Sequence, residues 1–439
     1  MKQKIQTVII ILIWSIGGCT NDDSDTRTRD VQDDAGVEDV NQGMEPSTDT
    51  QLDSALADAE INEPAIPNWM APTQLDSPEF EGVIIQPALT LSRTDTLHLA
   101  FSILNPEIQG IYVKTYDLTT MSSGESVNLL AQLQGLHNEP DICSLSGGGA
   151  VVVWSVDTQG DSGANLQIQF RVIDQNGTPV GDGPLTVVTE IEGNHWLGSV
   201  TCNDENQFAI AGSRGDPDDT FGVFVQRYDH LGQMVGDATT VNASPEGGQV
   251  YPVITFIPGE GEHRYAVAYE DRPAGRDDPI RVSIRFLDRT LQPSTEEFFV
   301  SADGIEATQP SIAVLDNNNQ VVVTATLDSD RVGIFRVDPQ DERSRYARGS
   351  EDRLNYNTDL VGVSNQPAYA YLKGSGRDVK FMLGRYDFEA QRLTETTIYE
   401  GWLPPYQTSM ARFEDAAAMA VTERLDADRF KLNVFVFGP

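Results

Sequence analysis

From about residue 80 onward, the spacing of apolar and polar side chains repeats the same short pattern seven times. Each copy centres on a nearly unbroken apolar run: Leu97–Phe101, Ala150–Trp154, Phe208–Ala211, Tyr265–Tyr269, Val321–Val323, Ala368–Tyr371 and Ala418–Val421. A strand without a polar side has to be covered on both faces. The next run alternates strictly, as in Leu166–Arg171 and Ile280–Phe286, which marks one buried and one wetter face. Ahead of the apolar run lies a short strand led by polar residues and proline, as in Gln86–Leu89, Glu139–Ile142 and Gln309–Ile312. Asp174–Gly177 and Asp229–Gly232 supply an aspartate that can accept hydrogen bonds from its own turn and a glycine that tolerates positive φ. A weaker fourth strand such as Pro184–Val188 leads into the next copy.

The copies can be counted from an aromatic or aliphatic residue followed by Asp, at Asp117, Asp174, Asp229, Asp288, Asp338 and Asp387; successive spacings are 57, 55, 59, 50 and 49 residues. A seventh copy ends at Phe437-Gly438 and has lost the Asp. Four strands per copy, a period in this range and no helical stretch predict an all-β, seven-bladed β-propeller. A six-bladed or open ring is the alternative. The last copy stops after its third strand, so residues 80–85 are expected to complete that blade and cover its open edge.

The Val151–Ser155 strand followed by Arg171–Gly181 resembles the propeller-type repeats of lipoproteins from environmental Gram-negative bacteria, where V-V-x-W-S precedes R-x-x-D-x-x-G-x-x-V-G. The resemblance is good in the second copy, partial in the third to sixth and poor in the first and last. It implies a fold and no activity. Gly-His and Trp-Asp signatures of WD repeats do not recur.

The N-terminus adds an address. Lys2 and Lys4 precede Val8–Ile16, an apolar stretch too short to span a bilayer as a mature helix, and this reads as an export signal over residues 1–18. Ile16-Gly17-Gly18-Cys19 resembles the lipobox of bacterial lipoprotein precursors, which implies that Cys19 is lipidated and becomes the mature N-terminus. Several acyl chains on one residue would anchor stably where one would be marginal. The expected location is therefore the bacterial cell envelope, with the outer membrane as the anchoring site. Residues 19–78 are rich in Asp, Glu, Thr, Asn and Pro, with Arg27 and Arg29 as the only basic side chains, and are predicted to form a disordered, self-repelling tether ahead of a propeller domain at 79–439.

Charge narrows the partners. With 67 acidic residues against 30 basic ones the chain carries a net −37, which argues against nucleic acid. Cys143 and Cys202 remain once Cys19 is set aside, an even pair in an oxidising compartment, and a disulfide between them is expected. They fall 11 residues before Trp154 and 10 before Gly212, at similar heights on neighbouring blades.

Catalytic signatures are missing: no H-E-x-x-H, no G-x-S-x-G and no phosphate-cradling glycine loop. The blade reading places the loops entering each first strand on the same face as those joining second to third strands. The entry loops are expected to present His137, Glu139, His195, Trp196, Tyr251 and Tyr406 around a channel mouth, a set suited to a sugar, a peptide or a metal. The second-to-third loops carry Asp216, Asp218, Asp219, Asp277 and Asp278, which are weak candidates for Ca²⁺; turn formation and solubility explain them without an ion. No other cofactor is expected. Two functions follow: a non-enzymatic binding or scaffold lipoprotein for an envelope protein or glycan, or a glycan-active hydrolase or lyase with its site in the channel mouth.

Overall fold

The structure, a computed structural model, describes residues 72–437 other than 93–94, 106, 131–134, 159–165, 188–193, 216–220, 274–277, 303, 316–318, 329–330, 341, 350–358, 364, 376–377, 402–407, 414–415 and 427–428. The export signal, Cys19, most of the tether, Tyr406, Asp216, Asp218, Asp219 and Asp277 lie outside the described residues. No described residue is helical.

Strands assemble into seven antiparallel blades. Their first strands are Val83–Leu91, Leu136–Ser144, Asn194–Cys202, Gly248–Phe256, Ala307–Leu315, Asp359–Val363 and Thr408–Phe413. Each touches the first strand of the next blade, and Thr408–Phe413 touches Val83–Leu91, so the ring closes and the first strands surround its axis. This excludes the six-bladed alternative.

The second strands are buried on both faces as their apolar runs require; Ala150, Val151, Val152, Val153 and Trp154 all have zero exposure. Seven apolar clusters fill the seven junctions between blades. A lone blade would expose both faces of that central strand, so burial and closure depend on each other.

Closure uses an earlier segment than the pattern predicts. Thr73–Gln74 and Glu79–Glu81 pair with the last strand, Arg429–Phe437, in the registers Thr73↔Val436 and Phe80↔Phe430. Val83, Ile84 and Ile85 instead open the first blade, opposite Leu104, Ile103 and Ser102. The reason is a bulge that lengthens the first strands. Gln86, Glu139, Leu197, Tyr251 and Gln309 take φ of 49–55°, each followed by proline or, at Gly198, glycine, and the pairing register slips there in five blades. Three strand residues precede the kink in the first four blades, and in the first blade these are Val83–Ile85.

The R-x-x-D element of the repeat acquires a mechanical meaning. Asp174, Asp229 and Asp288 each accept two backbone N–H groups of the following turn through Oδ1. Arg171 and Arg285 donate to the carbonyls of Leu129 and Val241, which end the preceding blade. Gly177 and Gly232 hold the positive φ of two turns; in the fourth blade Leu291 does so at φ 64° while only 1% exposed. Its left-handed backbone costs about 1–2 kcal/mol, and burial of a leucine side chain returns about 1.5–3 kcal/mol, so packing decides the residue.

Candidate functional site at the channel mouth

The innermost strand of a blade is a sheet edge, and its outward N–H groups face the axis with no strand to pair with. The sequence answers with short polar side chains on the first strands, which in the second and third blades stand two residues past the bulge. Asp141 Oδ2 accepts the N–H of Val200 in the next blade at 2.8 Å, Ser199 Oγ that of Ile254 at 3.3 Å, Asp359 Oδ2 that of Met410 at 2.6 Å and Ser409 Oγ that of Leu89 at 3.0 Å. Every one of these links a blade to its successor. A further rung joins Thr201 Oγ1 to the N–H of Phe256 at 3.0 Å.

The belt also explains why two of its members are carboxylates. Ala88 holds this position in the first blade and has no acceptor for the N–H of Ile142, and Asp141 caps that group itself through Oδ1 at 2.8 Å. Ser311 in the fifth blade donates to Asp359 Oδ1 at 3.2 Å, and the same oxygen takes the N–H of Leu360 at 2.8 Å. A hydroxyl has room for one such task; a carboxylate accepts at both oxygens. Burial pushes Asp141 up to about 6 and raises Asp359 as well, against the pull of these donors.

A second layer lies one turn of the pleat nearer the mouth, at the bulges. Ser155 Oγ accepts the N–H of Leu197 at 2.9 Å, and Glu270 Oε1 accepts that of Gln309 at 2.8 Å. Glu270 is raised by burial and held by Arg272, whose Nη2 donates to Oε2 at 2.7 Å. Arg272 also lies over the ring of Tyr251, 5.5 Å from its centroid. Glu139 carries the largest consequence: burial pushes its carboxyl up to about 7, with Ser155 as its hydrogen-bond partner.

The predicted ligand residues that are described, His137, Glu139, His195, Trp196 and Tyr251, sit within first strands rather than in the loops before them. His137 is buried, and its Nδ1 accepts the indole N–H of Trp154 at 3.1 Å, which leaves the proton of the neutral ring on Nε2. His195 is half-buried with its ring edge-on to Phe224 at 5.3 Å. Trp196 and Tyr251 are half-buried in neighbouring blades. First-strand starts lie opposite second-strand ends, as in His137↔Val156, His195↔Arg214 and Gln249↔Asp271, so these residues share the mouth with the second-to-third connections. Asp278 is exposed there, while Asp271 is paired with Arg281 at 3.1 Å and Asp426 with Arg429 at 2.7 Å. Among the described residues no three acidic, histidine or cysteine side chains gather as a metal site.

The two cysteines are joined. Cys143 and Cys202 form a disulfide with an S–S distance of 2.06 Å and Cα atoms 5.6 Å apart, stapling the first strands of the second and third blades.

Protonation can be read as stability. The folded protein holds Glu139 near 7 and Asp141 near 6, above their ordinary 4.5 and 3.8, so each contributes stability that is complete below the ordinary value and lost as pH rises through the folded one. Buried His98, lowered to about 4, works in the opposite sense: its contribution is complete above 6.5 and lost as pH falls through 4. Two strongly shifted carboxyls outweigh one imidazole between pH 5.5 and 8, and the melting temperature is expected to be higher at pH 5.5. Glu139→Gln should flatten that slope by about 1–2 kcal/mol, discounted for the water that reaches the group. Thermal melts of both proteins across this range check it.

No known protein family matches the chain in sequence, and no characterised protein does either. Similarity to solved structures is of fold alone. A protein of unknown function from Dyadobacter fermentans superimposes with a TM-score of 0.52 at 9% identity, over 71% of this chain and 97% of that one. A puromycin hydrolase matches at 0.50 and 11% identity over 79% of this chain, and a puromycin-hydrolyzing peptidase of Mycobacterium tuberculosis at 0.50 and 14% over 77%. This chain spans about half the length of those two enzymes, 51% and 49%.

Proposed function

We propose that this chain is a lipid-anchored protein of the bacterial envelope whose propeller binds a protein or glycan at the channel mouth without turning it over. One observation carries the reading: the deep acids hold strand edges and His137 holds Trp154, while the rings of Trp196, His195 and Tyr251, the last with Arg272 over it, are half-buried together at the mouth. Aromatic rings backed by a guanidinium suit a sugar face or a peptide side chain. The anchor is Cys19, and the acidic tether carries the domain clear of the membrane; Cys19→Ser should release the protein into the soluble fraction.

The test is a binding screen of the full chain against glycans and envelope proteins, with and without Ca²⁺. Trp196→Ala and Tyr251→Ala should each weaken the ligand found by about tenfold, with no product formed.

Glu139 supports a second reading. A carboxyl near pH 7 beside a channel mouth is what a general acid needs, and a glycan hydrolase or lyase would use it. Turnover of a glycan that disappears in Glu139→Gln would establish that reading and overturn the first.

A further inference from the structure

In a chain with 67 acidic residues and 30 basic ones, the outer edge of the fifth blade is an exception. Its last strand, Arg343–Gly349, reads Arg-Ser-Arg-Tyr-Ala-Arg-Gly. The register sets Arg345 directly opposite Arg336 of the third strand, and Arg343 opposite Asp338. Cross-strand partners share a face, so Arg336, Arg343 and Arg345 line one side of the blade. That side faces the sixth blade, because Arg336 lies over the ring of Phe388 there, 5.9 Å from its centroid. All three arginines are exposed and Phe388 is half-buried.

Like charges placed directly opposite each other destabilise a strand pair. Carboxylates are abundant in this protein, yet among the described residues Arg343 and Arg345 make no ion pair. Asp338 faces Arg343 but spends Oδ1 on the N–H of Gln340. Protection of an open sheet edge asks only for some charge; it does not account for a row of arginines against an arginine.

We propose that this arginine-lined outer side of the fifth blade is a second binding surface, for an acidic polysaccharide that carries a carboxylate on its sugars. The guanidinium fork matches a carboxylate in two parallel hydrogen bonds, where lysine would offer a point charge. Positions 343 and 345 lie roughly 7 Å apart along the strand, which suits a repeating polymer better than a single headgroup. The surface is separate from the channel mouth, so it stands or falls independently of the function proposed there.

Binding of the full chain to alginate, with dextran as the neutral control, tests it by calorimetry. Alginate should bind and dextran should not, and the affinity should drop steeply as salt is raised. Arg343→Glu with Arg345→Glu should weaken alginate binding by roughly tenfold or more. Arg289→Glu, the same reversal on the fourth blade, should leave it within about twofold, and so should Trp196→Ala. Circular dichroism of the variants establishes that the exposed changes leave the fold intact. Equal alginate binding by the doubly reversed variant, or no binding by the parent, overturns the proposal. So does binding through the same arginines to phosphatidylglycerol vesicles alone, which would make the ligand a lipid headgroup.

Discussion

Trp154→Ala should destabilise the propeller by about 4 kcal/mol, and by more where neighbours cannot collapse into the space. The indole has zero exposure and packs in the cluster between the first and second blades with Ile111, Val113 and Val152. Its removal leaves a cavity and also strips His137 Nδ1 of the donor at 3.1 Å. Trp154→Phe helps to separate the two effects, since it keeps most of the packed volume while losing the N–H, for an expected cost of about 1–2 kcal/mol. Urea unfolding of the three proteins gives the comparison. Equal losses for Phe and Ala would mean that the hydrogen bond, not the packing, anchors this junction.

The disulfide is the second large term. Its cysteines are 59 residues apart in sequence, and closing a loop of that size in the unfolded chain corresponds to about 4 kcal/mol in the chain-entropy account. Cys143→Ala with Cys202→Ala should lower stability by an amount approaching that figure. Alanine is the informative replacement, because Cys143 is buried among Leu145, Val151 and Val200 and a serine hydroxyl would add a desolvation cost of its own. Denaturation of the parent with and without reductant should reproduce the shift, and no change in either would show that ring closure already restrains the two strands.

How much of this could be read from the chain alone differs from feature to feature. The apolar second strands declared themselves, since Ala150–Trp154 permits no wet face, and the spacing of the Asp residues counted the blades. The paired cysteines followed from their even number in a chain read as exported, and the blade alignment put them at matching heights. The closing strand did not. Val83–Ile85 look like any edge strand, and only the kink at Gln86, a positive φ in a residue that does not announce it, shows why the first strand starts so early. The fourth strands were faint for a physical reason: in the second to fourth blades they shrink to pairs such as Leu185–Thr186, Thr239–Thr240 and Phe298–Phe299, too short for any periodicity.

The candidate site was half legible. His137, Glu139, His195, Trp196 and Tyr251 stand out by residue type, and the blade pattern places them at one end. Their roles depend on partners that no local pattern links: Trp154 lies 17 residues from His137 on the next strand of the same blade, and Val200 lies 59 from Asp141, in the next blade. Asp141 and Asp359 carried no signal as single residues; the alignment of their positions with Ser199, Ser311 and Ser409 was the available clue. Of the Ca²⁺ candidates only Asp278 is among the described residues, and it is exposed.

The account rests on the claim that the channel carboxylates serve strand edges, which leaves the mouth free for a ligand. Site-resolved amide hydrogen exchange tests it most directly. Ile142, Val200, Leu360 and Met410 should exchange as slowly as amides inside the blades, and Asp141→Ala should release Ile142 and Val200 while leaving Leu360 and Met410 protected. Rapid exchange of these amides in the parent protein, or no site-specific release in the variant, would contradict it.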